Sequence, residues 1–191
     1  MNRLAQVGAS PIAHDPDDLM RLFDALFKAS ENTVLVRGGE EPLYLPADET
    51  CPHDRVIFAR GYFASAMHEI SHWCIAGPAR RRQVDYGYWY CPDGRSAEQQ
   101  RAFEQVEVKP QALEWIFAEA AGSPFRLSLD NLSGETSGHL DGFRHAVCLQ
   151  AQAYLRDGLP ERAARFVNAL LDYYDRHEHF SVECFVLTRL R

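Results

Sequence analysis

The sequence predicts an α+β fold: one domain in which a small mixed or antiparallel sheet is packed by helices. Three observations point there. Apolar residues recur at helical spacing over several long stretches. Three short β-prone pieces are gathered between residues 33 and 59 instead of alternating with helices along the chain. And 191 residues, 46% hydrophobic and 12% aromatic, carry enough apolar surface for one well-filled core. Residues 1–13 are expected as a tail and 14–191 as the single domain.

Asp15-Pro16 supplies a helix cap and a first-turn proline. Leu19, Leu22, Phe23, Leu26 and Phe27 follow at i, i+3, i+4, i+7 and i+8, which makes an amphipathic helix ending near Ala29. The β-prone pieces are Thr33–Arg37, Pro42–Leu45 and Arg55–Ala59, separated by Gly38-Gly39 and the polar loop Ala47–Asp54. The first two read as a hairpin. A helix from about Tyr62 to Ala76 comes next, carrying Phe63, Met67, Ile70, Trp73 and Cys74 and stopped by Gly77-Pro78. Tyr86-Gly87-Tyr88-Trp89-Tyr90 reads as a strand entering a turn at Cys91-Pro92-Asp93-Gly94. Ser96–Ala121 is helical in composition; Pro110 lacks a donor and clashes with the preceding turn, so a kink or two successive helices are expected. Phe125–Leu129 is a candidate last strand and Asn131–His139 a loop. Helices over about Leu140–Arg156 and Pro160–His177 close the chain.

Composition excludes several function classes. A net charge of −7 argues against a general nucleic-acid binder, whose affinity rests on neutralising phosphates. Apolar runs such as Val56-Ile57-Phe58-Ala59 stop at four residues, far short of the ~18 that suggest a membrane span. The N-terminus shows no basic region followed by an apolar core, so a cytoplasmic protein is expected. Cys51, Cys74, Cys91, Cys148 and Cys184 are an odd number without a C-x-x-C pair, which reads as small hydrophobes rather than a disulfide framework or zinc knuckle.

The residues that carry chemistry stand in the second helix: His68-Glu69-Ile70-Ser71-His72, an H-E-x-x-H pentad. Helical geometry puts residues four apart on one face, so both imidazoles can meet one divalent metal ion while Glu69, about 100° round the helix, sits beside it. This is the zincin-like arrangement. As a peptidase it would use Zn2+ to lower the pKa of a bound water, with Glu69 as general base. The pentad alone leaves hydrolysis and oxidation both open, and a non-catalytic module with its histidines in the core is the bland alternative. A tightly held metal needs a further protein ligand. Glu104, Glu107 and Glu114 lie at helix-compatible spacings some 35 residues on, and Glu107 has apolar flanks, Val106 and Val108, that suit an inward, partnered carboxylate. Glu107 is the expected third ligand, with Glu104 in reserve.

Three weaker signals surround the pentad. His139-Leu140-Asp141 matches an H-x-D iron motif, with His177 or His179 as distal partner, but it lies where a loop enters a helix and not on a β-jelly roll. Asp141 is better read as opening that helix. The aromatic run Tyr86, Tyr88 and Tyr90, flanked by Asp85 and Asp93, is either a half-buried strand or a wall for a cationic substrate. Arg80-Arg81-Arg82 is either a solvated surface or a docking site for an acidic protein.

Longer stretches carry more. Leu43 to Asp48, Ala64 to Gly77, Asp85 to Arg95, Val106 to Trp115 and Pro160 to Phe166 resemble, in order, the bacterial elongation factor P hydroxylase family, and the likeness runs over roughly residues 20–175. The resemblance implies an enzyme that hydroxylates the lysine of translation elongation factor P once that lysine bears β-lysine, the final step of the modification. It also implies iron, Fe2+, in a site of two histidines and one carboxylate. Carried over residue by residue, these are His68 and His72, with Glu107 matched to the third position. Such a centre leaves open positions for dioxygen. No 2-oxoglutarate clamp is recognisable, so the second electron pair would come from another donor. Glu69 then orients a ligand or accepts protons.

Overall fold

A computed structural model describes residues 13–85, 96–128 and 140–190 of the protein. Asp15 accepts the Asp17 backbone N–H at 2.9 Å and Pro16 takes the first helical position, so α1 (Pro16–Phe27) starts where the cap and the proline put it. Its inward stripe, Leu19, Phe23 and Phe27, is fully buried, which contributes roughly 1.5–3 kcal/mol of transfer free energy per side chain.

Three strands follow, β1 (Thr33–Arg37), β2 (Leu43–Leu45) and β3 (Asp54–Phe58), in the sheet order β1-β3-β2. The expected β1–β2 hairpin is not formed. Instead β3 lies between them, parallel to β1 from Thr33 opposite Asp54 to Arg37 opposite Phe58, and antiparallel to β2. Gly38 supplies the physical reason. Its N–H prolongs the β1–β3 ladder to Phe58 O at 2.9 Å, and a Cβ there would stand 2.3 Å from Ile57 Cγ2. The glycine therefore serves a close approach to β3, not a tight reversal into β2. The central place falls to β3 because Val56 and Phe58 are both buried, whereas β2 has no buried residue.

The pentad helix, α2 (Phe63–Ile75), matches its expected span and buries Ala66, Met67, Ile70, Trp73 and Cys74. Trp73 packs edge-on against Phe23 and Phe27 of α1, with ring centroids 4.9 and 4.8 Å apart. Next, α3 (Ala97–Ala121) opens on a capping box between Ser96 and Gln99 and ends at Gly122, in the left-handed region at φ 69. Pro110 lies inside this single helix and does not divide it in two. Its missing N–H removes the partner of the Val106 carbonyl, while packing against neighbouring helices on several sides holds both halves in one element.

Phe125–Ser128 is not a strand. Its hydrogen bonding goes to a side chain: the Gln111 amide donates to Ser128 O at 2.7 Å and accepts Ser128 N–H at 3.0 Å, doing what a partner strand would do. The chain resumes as α4 (Leu140–Asp157) and α5 (Glu161–Tyr173). The second of these stops short of His177 because Asp175 turns left-handed at φ 51. Short 3-10 turns follow and bury Phe185 and Leu190 completely. One hydrophobic cluster joins side chains from all five helices with β1 and β3. Cys74 and Cys148 are buried and free, as small hydrophobes are. Among the described residues no helix is long and apolar enough to cross a membrane. The expected tail up to Ile12, the aromatic strand and its turn, and the loop Asn131–His139 lie outside the described residues.

Candidate metal centre

His68 and His72 stand one turn apart on α2, Glu107 and Glu114 two turns apart on α3, and the packing of these two helices brings the four side chains together. The apolar stripe of α2 faces the core, which leaves the histidines at its edge with 27% and 19% of their side chains exposed. Their Nε2 atoms lie 3.1 Å apart. Glu107, 4% exposed, sets Oε1 3.2 Å from His72 Nε2 and Oε2 3.6 Å from His68 Nε2. Donors each about 2.1 Å from one ion, at tetrahedral or octahedral angles, stand about 3.0–3.5 Å from one another. His68, His72 and Glu107 therefore have the spacing and chemistry to hold one metal ion, and no other such group occurs among the described residues.

Glu104, one turn earlier, goes elsewhere. It accepts Gln100 Nε2–H at 3.3 Å and faces a groove between α3 and α4 beside Arg101, Val108 and Phe143. Glu114, which the sequence offered only as a third carboxylate on the helix, has a distinct place: His68 Nδ1–H donates to its Oε2 at 2.8 Å. That bond fixes the ring with Nε2 turned toward Glu107 and His72. The signal for it was the seven-residue step from Glu107, two turns on the same face.

The electrostatics favour a cation in the middle. Burial alone would lower the His68 pKa, but the hydrogen bond and charge of Glu114, with the charges of Glu107 and Glu69, outweigh it and raise it to about 10. Burial alone would raise Glu107; the His72 hydrogen bond and the nearby imidazoles bring it down to about 2. Both shifts say that buried carboxylates here require positive charge beside them, which protons or a divalent ion supply. Burial pushes the Glu69 carboxyl up, against the opposing pull of His68 and His72.

Glu69 and His72 also line a narrow pocket with Leu43, Tyr44, Trp73 and Asp85. Asp85 forms a β-bridge with Tyr44 and an ion pair with Arg80. Of the three consecutive arginines, Arg80 and Arg81 are half-buried, Arg81 pairing with Glu31 at 2.8 Å, and Arg82 is exposed. Tyr86, Tyr88, Tyr90 and Asp93 lie outside the described residues. Asp141 sits exposed in the first turn of α4, 3.4 Å from Arg144, and His177 pairs with Asp172 at 2.7 Å, so these two take no part in the cluster.

Comparison with known proteins adds two findings. The profile of the family described as elongation factor P hydroxylase matches residues 22–185. The chain is also 47% identical over 175 residues to an elongation factor P lysine hydroxylase of Haemophilus influenzae, covering 92% of this chain and 98% of that protein.

Proposed function

The chain belongs to the elongation factor P hydroxylase family, and from that membership we propose that it hydroxylates the lysine of translation elongation factor P that already carries a β-lysyl extension, as the last step of that modification. One observation carries the reading: the family match, residues 22–185, encloses His68, His72, Glu107 and Glu114, the residues that cluster between α2 and α3. Hydroxylation is favoured over zinc-dependent peptide cleavage by the name of the Haemophilus influenzae relative.

Iron(II) suits a donor set of two histidines and one carboxylate, and when bound it supplies dioxygen activation and the oxidation of a C–H bond, without a 2-oxoglutarate co-substrate in this reading. The chain's own residues do the rest. His68, His72 and Glu107 hold the ion. Glu114 keeps the His68 ring in register. Glu69 serves the adjoining pocket, orienting what enters it and holding a proton there. A β-lysylated lysine is long and polycationic, so its binding is assigned to Asp85, Tyr86, Tyr88, Tyr90 and Asp93, aromatic rings and carboxylates both being residue types that attract ammonium groups. The run Arg80, Arg81 and Arg82 docks the substrate protein, with the exposed Arg82 leading.

The test uses β-lysylated elongation factor P, iron(II) and a reductant, with and without air. A gain of one oxygen atom by mass spectrometry, only in air and only on the β-lysylated factor, upholds the reading. No oxygen gain, together with zinc-dependent peptide cleavage that Glu69→Gln abolishes, overturns it.

A further inference from the structure

The last turn of α2 carries His72, yet it ends without the left-handed glycine that closes α3: its C-cap, Ala76, is extended at φ −64 and ψ 125. Its end carbonyls are met from far along the chain. Arg162 Nη2 donates to Cys74 O at 3.2 Å and to Ala76 O at 2.6 Å. The same guanidinium lies over the Trp73 ring, 4.5 Å from its centroid.

The location of Arg162 makes this contact informative. It stands in the first turn of α5, where a cation meets the positive end of that helix's own dipole. The placement is locally unfavourable and becomes favourable through the negative end of α2 that it faces. A second layer supports it: Glu31 Oε2 lies 3.7 Å from Arg162 Nη1 and accepts from Arg81 Nη1 at 2.8 Å. Tyr44 OH in turn donates to the Arg81 carbonyl at 2.9 Å. Glu31, Tyr44, Arg81 and Arg162 thus brace Trp73, which follows His72 in sequence and shares its pocket.

We propose that Arg162 is a positioning residue for the reaction: it lies outside the pocket and the histidine–carboxylate cluster, and acts through the last turn of α2 by fixing His72 and the Trp73 wall. The catalytic half of this inference rests on the hydroxylase reading above; the anchoring half rests on the contacts alone.

The experiment compares full-length wild type, Arg162→Met and Arg162→Lys by hydrogen exchange, metal affinity and steady-state kinetics. In Arg162→Met the Ala76 amide, bonded to His72 O and Trp73 O, exchanges at least about tenfold faster while Met67 and Ile70 keep their protection. On the β-lysylated factor kcat falls about tenfold or more and KM stays within about twofold. Arg162→Lys restores part of both losses, since it keeps the charge but not the flat, two-point donor face; it also serves if the methionine variant does not fold. Unchanged exchange in the last turn, or faster exchange with unchanged kcat, overturns the proposal. If the wild type does not hydroxylate the factor, it is the hydroxylase reading that fails, and metal affinity decides in place of kcat: weaker binding alongside faster Ala76 exchange upholds the anchor, and unchanged binding refutes it.

Discussion

His68 uses both ring nitrogens, Nδ1 on Glu114 at 2.8 Å and Nε2 toward Glu107 and His72, so the two sides of one imidazole can be separated by mutation. Glu114→Leu is expected to weaken metal affinity by about 10–100-fold while keeping stoichiometry, measured by competition with a chelator; Glu114→Gln, whose amide oxygen still accepts, should lose less. Asp85→Asn, at a residue lining the pocket, and Tyr88→Ala, in the segment assigned above to substrate binding, are each expected to raise KM for the β-lysylated factor severalfold with little change in kcat. Steady-state kinetics would show it, and unaltered KM in both removes that assignment. The histidines were legible because a four-residue step is local helix geometry, and Glu107 because its valine flanks mark an inward carboxylate. For Glu114 the seven-residue step from Glu107 gave only a shared face of α3; that this face meets His68 was not legible, since it depends on how α3 packs on α2, a non-local fact.

At the scale of elements, Gly38 and Gln111 each replace something more regular. Alanine at 38 would drive its Cβ into Ile57 Cγ2, and the resulting overpacking at the β1–β3 junction should cost about 1–3 kcal/mol, read as a lower urea midpoint. Gln111 bonds both backbone groups of Ser128 and sets its Nε2 3.4 Å from Glu107 Oε2. Gln111→Leu is therefore expected to cost about 1–3 kcal/mol of stability in the same measurement. The helix start at Asp15 could be read directly, because the cap and the first-turn proline are neighbours in sequence; the start at Ser96 was read from composition, and its capping box with Gln99 comes from the structure. Strand order could not. Gly-Gly between two β-prone pieces is common to a hairpin and to a close approach, and only the buried pair Val56 and Phe58 makes β3 the centre.

In the whole molecule, the candidate ligands join two helices that are distant in sequence, so a bound ion would cross-link the core. The melting temperature of the wild type is expected to rise with iron(II) or cobalt(II) concentration, following the mass action of a ligand that prefers the folded state, and His72→Ala should abolish that rise. A calorimetric scan at several metal concentrations decides it. The α+β architecture was legible from periodicity, and the C-terminal turns that bury Phe185 and Leu190 were not, because they have no period and take their shape from the cluster they close. A division of labour follows from where the pocket's walls originate. Among the described residues, the groups suited to gripping a cation come only from α2 and α3, whereas Leu43, Tyr44 and Asp85 come from β2 and the segment after α2. Selectivity can accordingly be re-cut by randomising Leu43 and Asp85, which the brace on α2 does not use, in the laboratory or by descent, while the reactive centre is left as it stands.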